Sequence, residues 1–134
     1  MTAIKSFWFN LDCRIYRIFA LSWMCFIFYI SHQSSSDIPS ITIFYGQDKV
    51  FHFFIYAVLG FFVAGSFSSF AKGISFKEAQ WVILIIFCYA VSDEFHQSFI
   101  PGRAPSIGDI VADCLGGIVV VWLVRLHSRS KINI

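Results

Sequence analysis

The sequence predicts an all-α membrane protein, a bundle of four transmembrane helices that forms a single domain over residues 1–134. Composition is the first observation, because 57% of the residues are hydrophobic and only 13% are charged. A soluble fold of this length needs a larger polar surface than these residues supply. The second observation is a set of four apolar stretches, each near the length that a bilayer requires. The third is an uneven distribution of basic residues among the connecting segments.

The four helices are predicted at approximately residues 15–31, 49–70, 79–99 and 107–126, with Pro39, Pro101 and Pro105 between them. The third helix is the informative one. Its uncharged part, residues 81–91, would reach only about 16 Å at a rise of about 1.5 Å per residue. To cross a hydrocarbon core of about 30 Å, the helix has to continue to residue 99. It then carries Asp93, Glu94 and His96 into the membrane or its interface.

Capping signals predict where two of the helices begin. Ser75 with Glu78 forms a capping box before the third helix, and Ser106 with Asp109 forms another before the fourth. The fourth helix is therefore expected to begin near Ile107.

The basic residues predict the orientation of the chain. Eight of them lie in the N-terminal tail, the middle connection and the C-terminal tail: Lys5, Arg14, Arg17, Lys72, Lys77, Arg125, Arg129 and Lys131. Only Lys49 and Arg103 lie elsewhere. The positive-inside rule therefore places both termini in the cytoplasm and the other two connections outside. A cleaved signal peptide is the alternative for the first stretch, but that stretch is long and no A-x-A site follows it.

Several classes of protein are disfavoured by the sequence. The net charge of +2 is spread over short segments and forms no basic stripe of the kind that binds nucleic acid. The four cysteines show no CxxC or CxxCH spacing, which leaves no zinc or haem motif. No cofactor is predicted.

Polar residues concentrate where the helices are expected to reach the outer side of the membrane. Asp48, His52 and Tyr56 are spaced to share one face of the second helix, and Asp109 and Asp113 share one face of the fourth. Asp93, His96 and Gln97 share a face of the third helix. At about 1.5 Å per residue, Asp93 and Asp113 lie about 10 Å below the outer interface. An unpaired charge at that depth costs several kcal/mol, so we expect these residues to face one another.

This polar cluster is the candidate site. The predicted acid/base residues are Glu94, His96, Asp93, His52 and Asp113, and the predicted substrate-binding residues are Arg103, Lys49, Gln97, Asp48, Asp109 and Tyr56. In this hypothesis Arg103 and Lys49 form a phosphate-binding rim together with two helix N-termini. Structural alternatives stay open: Asp48 and Asp109 as helix caps, His52 and Asp113 as interhelical hydrogen-bonding groups, and Arg103 as a neutralising or snorkelling residue.

A metal site is a variant of this hypothesis. His52, His96 and one or two of the carboxylates would form a nitrogen and oxygen ligand set suited to zinc or iron. The ligands come from separate helices and no HExxH-like spacing is present, which disfavours the variant.

The same residues resemble the VanZ-like family of small bacterial membrane proteins, named after the teicoplanin-resistance protein. The first span ends in YISHQSS at residues 29–35, similar to the serine-rich exit of that family. The second contains DKVFH at residues 48–52, followed by Tyr56, Leu59 and Gly60, and is similar to its D-K-x-x-H-x-x-x-Y-x-x-L-G pattern. The most specific stretch is SDEFHQSFIPGR at residues 92–103, followed by Asp109, Asp113 and Gly116. Position 113 is Asp here, where many relatives carry Asn.

The resemblance implies an inner-membrane protein linked, in the namesake of the family, to reduced glycopeptide susceptibility. With the polar cluster, it gives the leading hypothesis: a protein in contact with membrane lipids that binds or modifies an anionic lipid-linked envelope precursor in the outer leaflet. Whether a reaction occurs is left open. The alternatives are a proton-coupled carrier or ion pathway, since intramembrane acidic and histidine residues serve as relays, and a non-enzymatic structural or adaptor protein.

Overall fold

A computed structural model describes residues 11–34, 44–67 and 73–132, with side chains up to His127. Over these ranges the chain is all-helical and contains four helices: α1 at Cys13–Ser31, α2 at Gln47–Phe67, α3 at Phe76–Gln97 and α4 at Ile107–Ile132. The all-α prediction is confirmed. The predicted extension of the second helix to residue 70 lies outside the described residues, as do Lys5, Lys72 and the side chains of Arg129 and Lys131 in the topology argument.

Three segments are long and apolar enough to cross a membrane: Cys13–Ser31, Gln47–Phe67 and Ile107–His127. Helix α3 has 22 residues, which is sufficient length, but it carries charged side chains near both ends. Lys77 and Glu78 occupy its first turn, and Asp93 and Glu94 lie near its last. The fourth crossing and the side on which the termini lie therefore stay predictions.

Side chains cap the first turns of α1 and α3. Asp12 accepts a hydrogen bond from the backbone N–H of Arg14 at 2.7 Å, and this bond holds the pKa of Asp12 below its usual range. The predicted capping box at Ser75 is confirmed. Its hydroxyl group accepts from the N–H of Glu78 at 3.2 Å, and the Glu78 carboxylate accepts from the N–H of Ser75 at 2.7 Å.

Helices α2 and α4 run parallel and form the most extensive helix pairing in the bundle. Glycines allow this approach. A Cβ atom on Gly60 would lie 3.1 Å from the Cα atom of Gly117, and one on Gly116 would overlap the backbone carbonyl oxygen of Phe53. The two backbones are therefore nearly in contact along this seam.

Contacts between helix ends show which of them lie at the same end of the bundle. Arg17, in the first turns of α1, donates to the carbonyl oxygen of Ser66 near the end of α2. The guanidinium group of Arg125 in α4 lies 5.5 Å from the ring centre of Phe76 at the start of α3. At the opposite end, the last turns of α1 and α3 meet the first turns of α2 and α4, and we call this the polar end. An apolar core fills the space between the two ends.

Candidate functional site

Within the described part of the chain, all the buried charged or polar residues lie at the polar end. They are Ser31, Asp93, Glu94, Gln97, Asp109 and Asp113. Asp113 is fully buried, and Glu94 is only 3% exposed. The expectation that acidic residues from separate helices face one another therefore agrees with the geometry, and each of them has identifiable neighbours.

His52 and Asp113 form the central pair of this cluster. The Nδ1 atom of His52 lies 3.0 Å from an oxygen of Asp113, and the histidine side chain is only 18% exposed. Glu94 and Asp109 each offer a carboxylate oxygen that lies within 4.8 Å of a ring nitrogen of His52 and of the other. One imidazole is thus surrounded by three buried carboxylates from α3 and α4.

The two carboxylate oxygens of Glu94 have different surroundings. Oε2 accepts a hydrogen bond from the backbone N–H of Ser106 at 2.6 Å, so α3 caps the start of α4. In the predicted capping box that N–H donates to Asp109, and the box is replaced by this bond between helices. Oε1 of Glu94 is buried and has no hydrogen-bond partner in the described part of the chain.

Lys49 lies between two carboxylates. Its ammonium group is 2.9 Å from Asp48 and 2.9 Å from Asp109, and about half of its side chain is exposed. It also lies over the first turn of α4, where a Cβ on Gly108 would be 2.9 Å from the Cε atom of Lys49. Lys49, which the sequence predicts to bind phosphate, therefore already forms two ion pairs.

Asp93 belongs to a separate part of the cluster. Its carboxylate accepts from the hydroxyl group of Ser31 at 3.0 Å and from the side-chain amide of Gln97 at 3.3 Å. Tyr56 is buried, and its hydroxyl group has no hydrogen-bond partner in the described part of the chain. Adjacent residues on a helix point about 100° apart, and Asp93 and Glu94 accordingly have different partners.

His96 is paired with His32 at the surface of the polar end. The Nδ1 atom of His32 lies 3.2 Å from the Nε2 atom of His96, and the two rings are stacked with centres 5.3 Å apart. Phe28 packs on His96 with ring centres 4.5 Å apart. Among the described residues, the group within metal-binding distance contains His52, Glu94 and Asp109. His96 is not part of this group, and the predicted ligand set of His52 with His96 stays a prediction.

Arg103 points to the end of α1. Its Nε atom donates to the carbonyl oxygen of Gln33 at 3.3 Å, and Nη2 donates to that of Ile30 at 3.4 Å. Helix α1 has no basic residue in its own last turn, so Arg103 supplies the positive charge that a helix C-terminus favours. None of the alternatives weighed for Arg103 included this role, because the contact joins residues 70 or more positions apart.

Two residues of the cluster, Ser31 and His32, were missed by reasoning from charge and spacing. Both lie in the YISHQSS segment that ends α1. The signal that was available is their position, since a polar segment leaving a span on the outer side must lie level with the other outer helix ends.

The arrangement combines an acid/base pair with an excess of negative charge. His52 hydrogen-bonded to Asp113 has the geometry of a general base whose ring orientation is fixed by a carboxylate. Asp48, Asp109, Asp113 and Glu94 together outnumber the positive charges of Lys49 and His52, even when His52 is protonated. With these carboxylates ionised the site is net negative, so an anionic ligand binds here only together with protons or a cation.

Fold and cluster together define a small helical membrane protein with a polar site at one end of its bundle. The chain belongs to the VanZ/LLP1 family, whose model matches residues 16–128. The match covers most of the chain and includes every residue of the polar cluster, so the resemblance seen in the sequence motifs is confirmed. No curated protein and no solved structure matches the chain.

Proposed function

We propose that this protein binds or modifies an anionic lipid-linked substrate of the cell envelope, at the outer face of the bacterial cytoplasmic membrane. The observation that carries the proposal is the His52–Asp113 pair, with Glu94 and Asp109 within 4.8 Å of the imidazole. Buried charge of this density is costly in a membrane protein and is retained mainly for function. An effect on glycopeptide susceptibility is part of the proposal.

The proposal requires α3 to be the fourth span, with both termini in the cytoplasm. An exposed apolar stripe on α3 supports this: Trp81, Leu84, Phe87, Val91 and Phe95 are each at least 40% exposed. The stripe continues past Asp93 and Glu94, whose side chains face the interior. A helix that exposes large apolar residues along its length while burying its acidic residues is suited to a lipid environment.

A shallow groove on α3, open over most of its surface and bordered by Met24 of α1, is the feature proposed to take the lipid part of the substrate. It has a volume of about 410 Å³ and is lined mainly by apolar side chains, including Met24, Trp81 and Leu84. Its outermost lining residue is Ser92, which immediately precedes Asp93. In the proposal the groove takes an acyl or prenyl chain, and the headgroup lies at the polar end.

In the proposed site, His52 acts as acid/base and is oriented by Asp113. The half-exposed ammonium group of Lys49 meets the headgroup, and Arg103 supports the site by fixing the end of α1 beside it. His96 and His32 form the rim on the side of α1 and α3. These roles refine the sequence-based hypothesis, in which Arg103 held phosphate directly.

A purely structural role is the second candidate, and two contacts favour it. Glu94 caps α4 through Ser106, and Arg103 caps α1 through Ile30 and Gln33. Both contacts connect helix ends and need no ligand. In this alternative the polar cluster holds the four helices together as interhelical hydrogen bonds do in other membrane bundles.

The test is an envelope-lipid profile and a glycopeptide-susceptibility measurement on cells that express matched amounts of wild type or variant. His52→Gln is expected to abolish the change that wild type produces, while the purified variant keeps its helical content. Glu78→Gln, at the other end of α3, is the control and is expected to behave as wild type. Folded His52→Gln protein with full wild-type effect, or wild type without effect on any envelope lipid, would contradict the proposal.

A further inference from the structure

We infer that His52, Glu94 and Asp109 form a binding site for one divalent transition-metal cation, with Asp113 as the residue that orients His52. The inference deepens the proposed function and rests on it for the role of the cation. With the cation bound, His52 serves as a ligand and no longer as the acid/base group, because both of its ring nitrogens are engaged. It differs from the ligand set that the sequence predicted in two respects: His96 is absent, and the carboxylates are assigned to Glu94 and Asp109.

Distances among the three side chains support the site. Each offers one ligand atom, and the three atoms lie within 4.8 Å of one another. Ligand atoms around a tetrahedral zinc ion lie about 3.3 Å apart, given metal–ligand bonds of about 2.0 Å. Small side-chain rotations therefore bring them to coordination distance. The residues come from α2, α3 and α4, so binding would clamp three helices.

Asp113 completes a common metal-site arrangement. Its carboxylate lies 3.0 Å from Nδ1 of His52, which leaves Nε2 as the ligand atom. Histidines that bind metals almost always donate their other ring N–H to a carboxylate, carbonyl or water. This pairing fixes both the tautomer and the ring orientation that a cation in this position requires.

Unpartnered oxygens provide an observation independent of the clustering. Oε1 of Glu94 and Oδ2 of Asp113 are buried and have no hydrogen-bond partner in the described part of the chain. Only 3% of Glu94 is exposed, and its other oxygen, Oε2, already accepts a hydrogen bond from the backbone N–H of Ser106. A buried carboxylate oxygen without a donor is unfavourable unless a proton or a cation occupies it.

Charge gives the reason for a divalent ion. Lys49 is the only ammonium group paired with this cluster in the described chain, and it is shared between Asp48 and Asp109. An ion with two positive charges offsets most of the remaining negative charge of Glu94, Asp109 and Asp113. It also gives an acidic site a means to attract an anionic headgroup, which Lys49 alone does weakly.

The ligand set points to a zinc-like ion. One imidazole nitrogen and two carboxylate oxygens suit Zn²⁺, which binds both nitrogen and oxygen, whereas Ca²⁺ and Mg²⁺ prefer oxygen alone. Mn²⁺ is a harder ion that favours the two carboxylates. Three protein ligands leave an open position for water or a phosphate oxygen, as catalytic zinc sites do.

The experiment uses full-length protein purified in detergent, stripped with a chelator and titrated with Zn²⁺ or Mn²⁺ without added lipid. Wild type is expected to retain about one equivalent after desalting, by elemental analysis. Glu94→Gln keeps an acceptor for the N–H of Ser106 but loses the ligand charge, and is expected to retain no stoichiometric metal. Asp113→Asn is expected to bind roughly 10- to 100-fold more weakly than wild type.

Glu78→Gln is the matched control, because Glu78 is the other cap glutamate of α3, and it is expected to bind as wild type does. His96→Gln is expected to bind as wild type does and tests the exposed His32–His96 pair. If Glu94→Gln does not fold, His52→Gln with circular dichroism takes its place. No stoichiometric binding by wild type, undiminished binding by folded Glu94→Gln, or binding lost only in His96→Gln would overturn the inference. Because no lipid is added, these results concern the metal site alone, and the proposed function is tested separately.

Discussion

The carboxylate of Glu94, in the last turn of α3, accepts a hydrogen bond from the backbone N–H of Ser106 at 2.6 Å, immediately before α4 begins. The bond closes the connection of residues 98–106 at its base. One residue thereby joins helix capping to the polar cluster, since its other oxygen is free to interact with the cluster. The consequences of changing Glu94 depend on which of these two functions the replacement keeps.

Glu94→Ala is expected to lower the free energy of unfolding by about 1–2 kcal/mol, because the cap is lost and a part-buried N–H loses its acceptor. Glu94→Gln should lower it less, since the amide oxygen can still accept. Reversible unfolding in detergent, followed by circular dichroism, measures both. Equal stability of Glu94→Ala and wild type would show that the cap bond contributes nothing.

His52 is expected to carry its proton on Nδ1 when neutral, because that atom faces Asp113. Nitrogen NMR of protein with labelled histidine distinguishes the two tautomers. Asp113→Ala should give a mixture of tautomers, whereas Asp113→Asn should preserve the Nδ1–H form through its amide oxygen. Wild-type spectra dominated by the Nε2–H tautomer would contradict this assignment.

Gly116→Ala is expected to destabilise the bundle by about 1–3 kcal/mol, a typical cost of overpacking. The added methyl group overlaps the carbonyl oxygen of Phe53, which is backbone and cannot rotate away. Gly108→Ala is the control, because its methyl group meets only the flexible end of Lys49 and the Ser106 hydroxyl group. Thermal unfolding of the two variants in the same detergent should separate them clearly, and identical midpoints would refute the packing argument.

Arg103→Ala is expected to loosen the end of α1, since the carbonyl oxygens of Ile30 and Gln33 lose their donor. Hydrogen exchange should increase in the last turn of α1 and in residues 98–106, and remain unchanged near Arg125 at the other end. Arg103→Lys should restore part of the protection through its charge alone. Hydrogen exchange at wild-type levels in Arg103→Ala would show that these two hydrogen bonds do not stabilise the end of α1.

Much of the fold follows from sequence patterns, because its determinants are local. Apolar stretches, prolines between them and the Ser75–Glu78 capping box are each read from neighbouring residues. The helices are apolar on most of their surface, however, so hydrophobic periodicity does not show which face is buried. The partners of Glu94, Arg103 and His96 depend on that rotation. Sequence spacing therefore grouped ionisable residues of α2, α3 and α4 without their pairings, and it left out Ser31 and His32.

The contact between Gly116 and Phe53 lies directly beneath the site, since Phe53 follows His52 and Gly116 follows Asp113 by three residues. The close approach of the two backbones sets how near α4 lies to α2 at this level. The alignment of the imidazole with its carboxylate is thus determined by groups that carry no charge and touch no ligand. A genetic screen for loss of function should return these small and apolar positions alongside the ionisable ones.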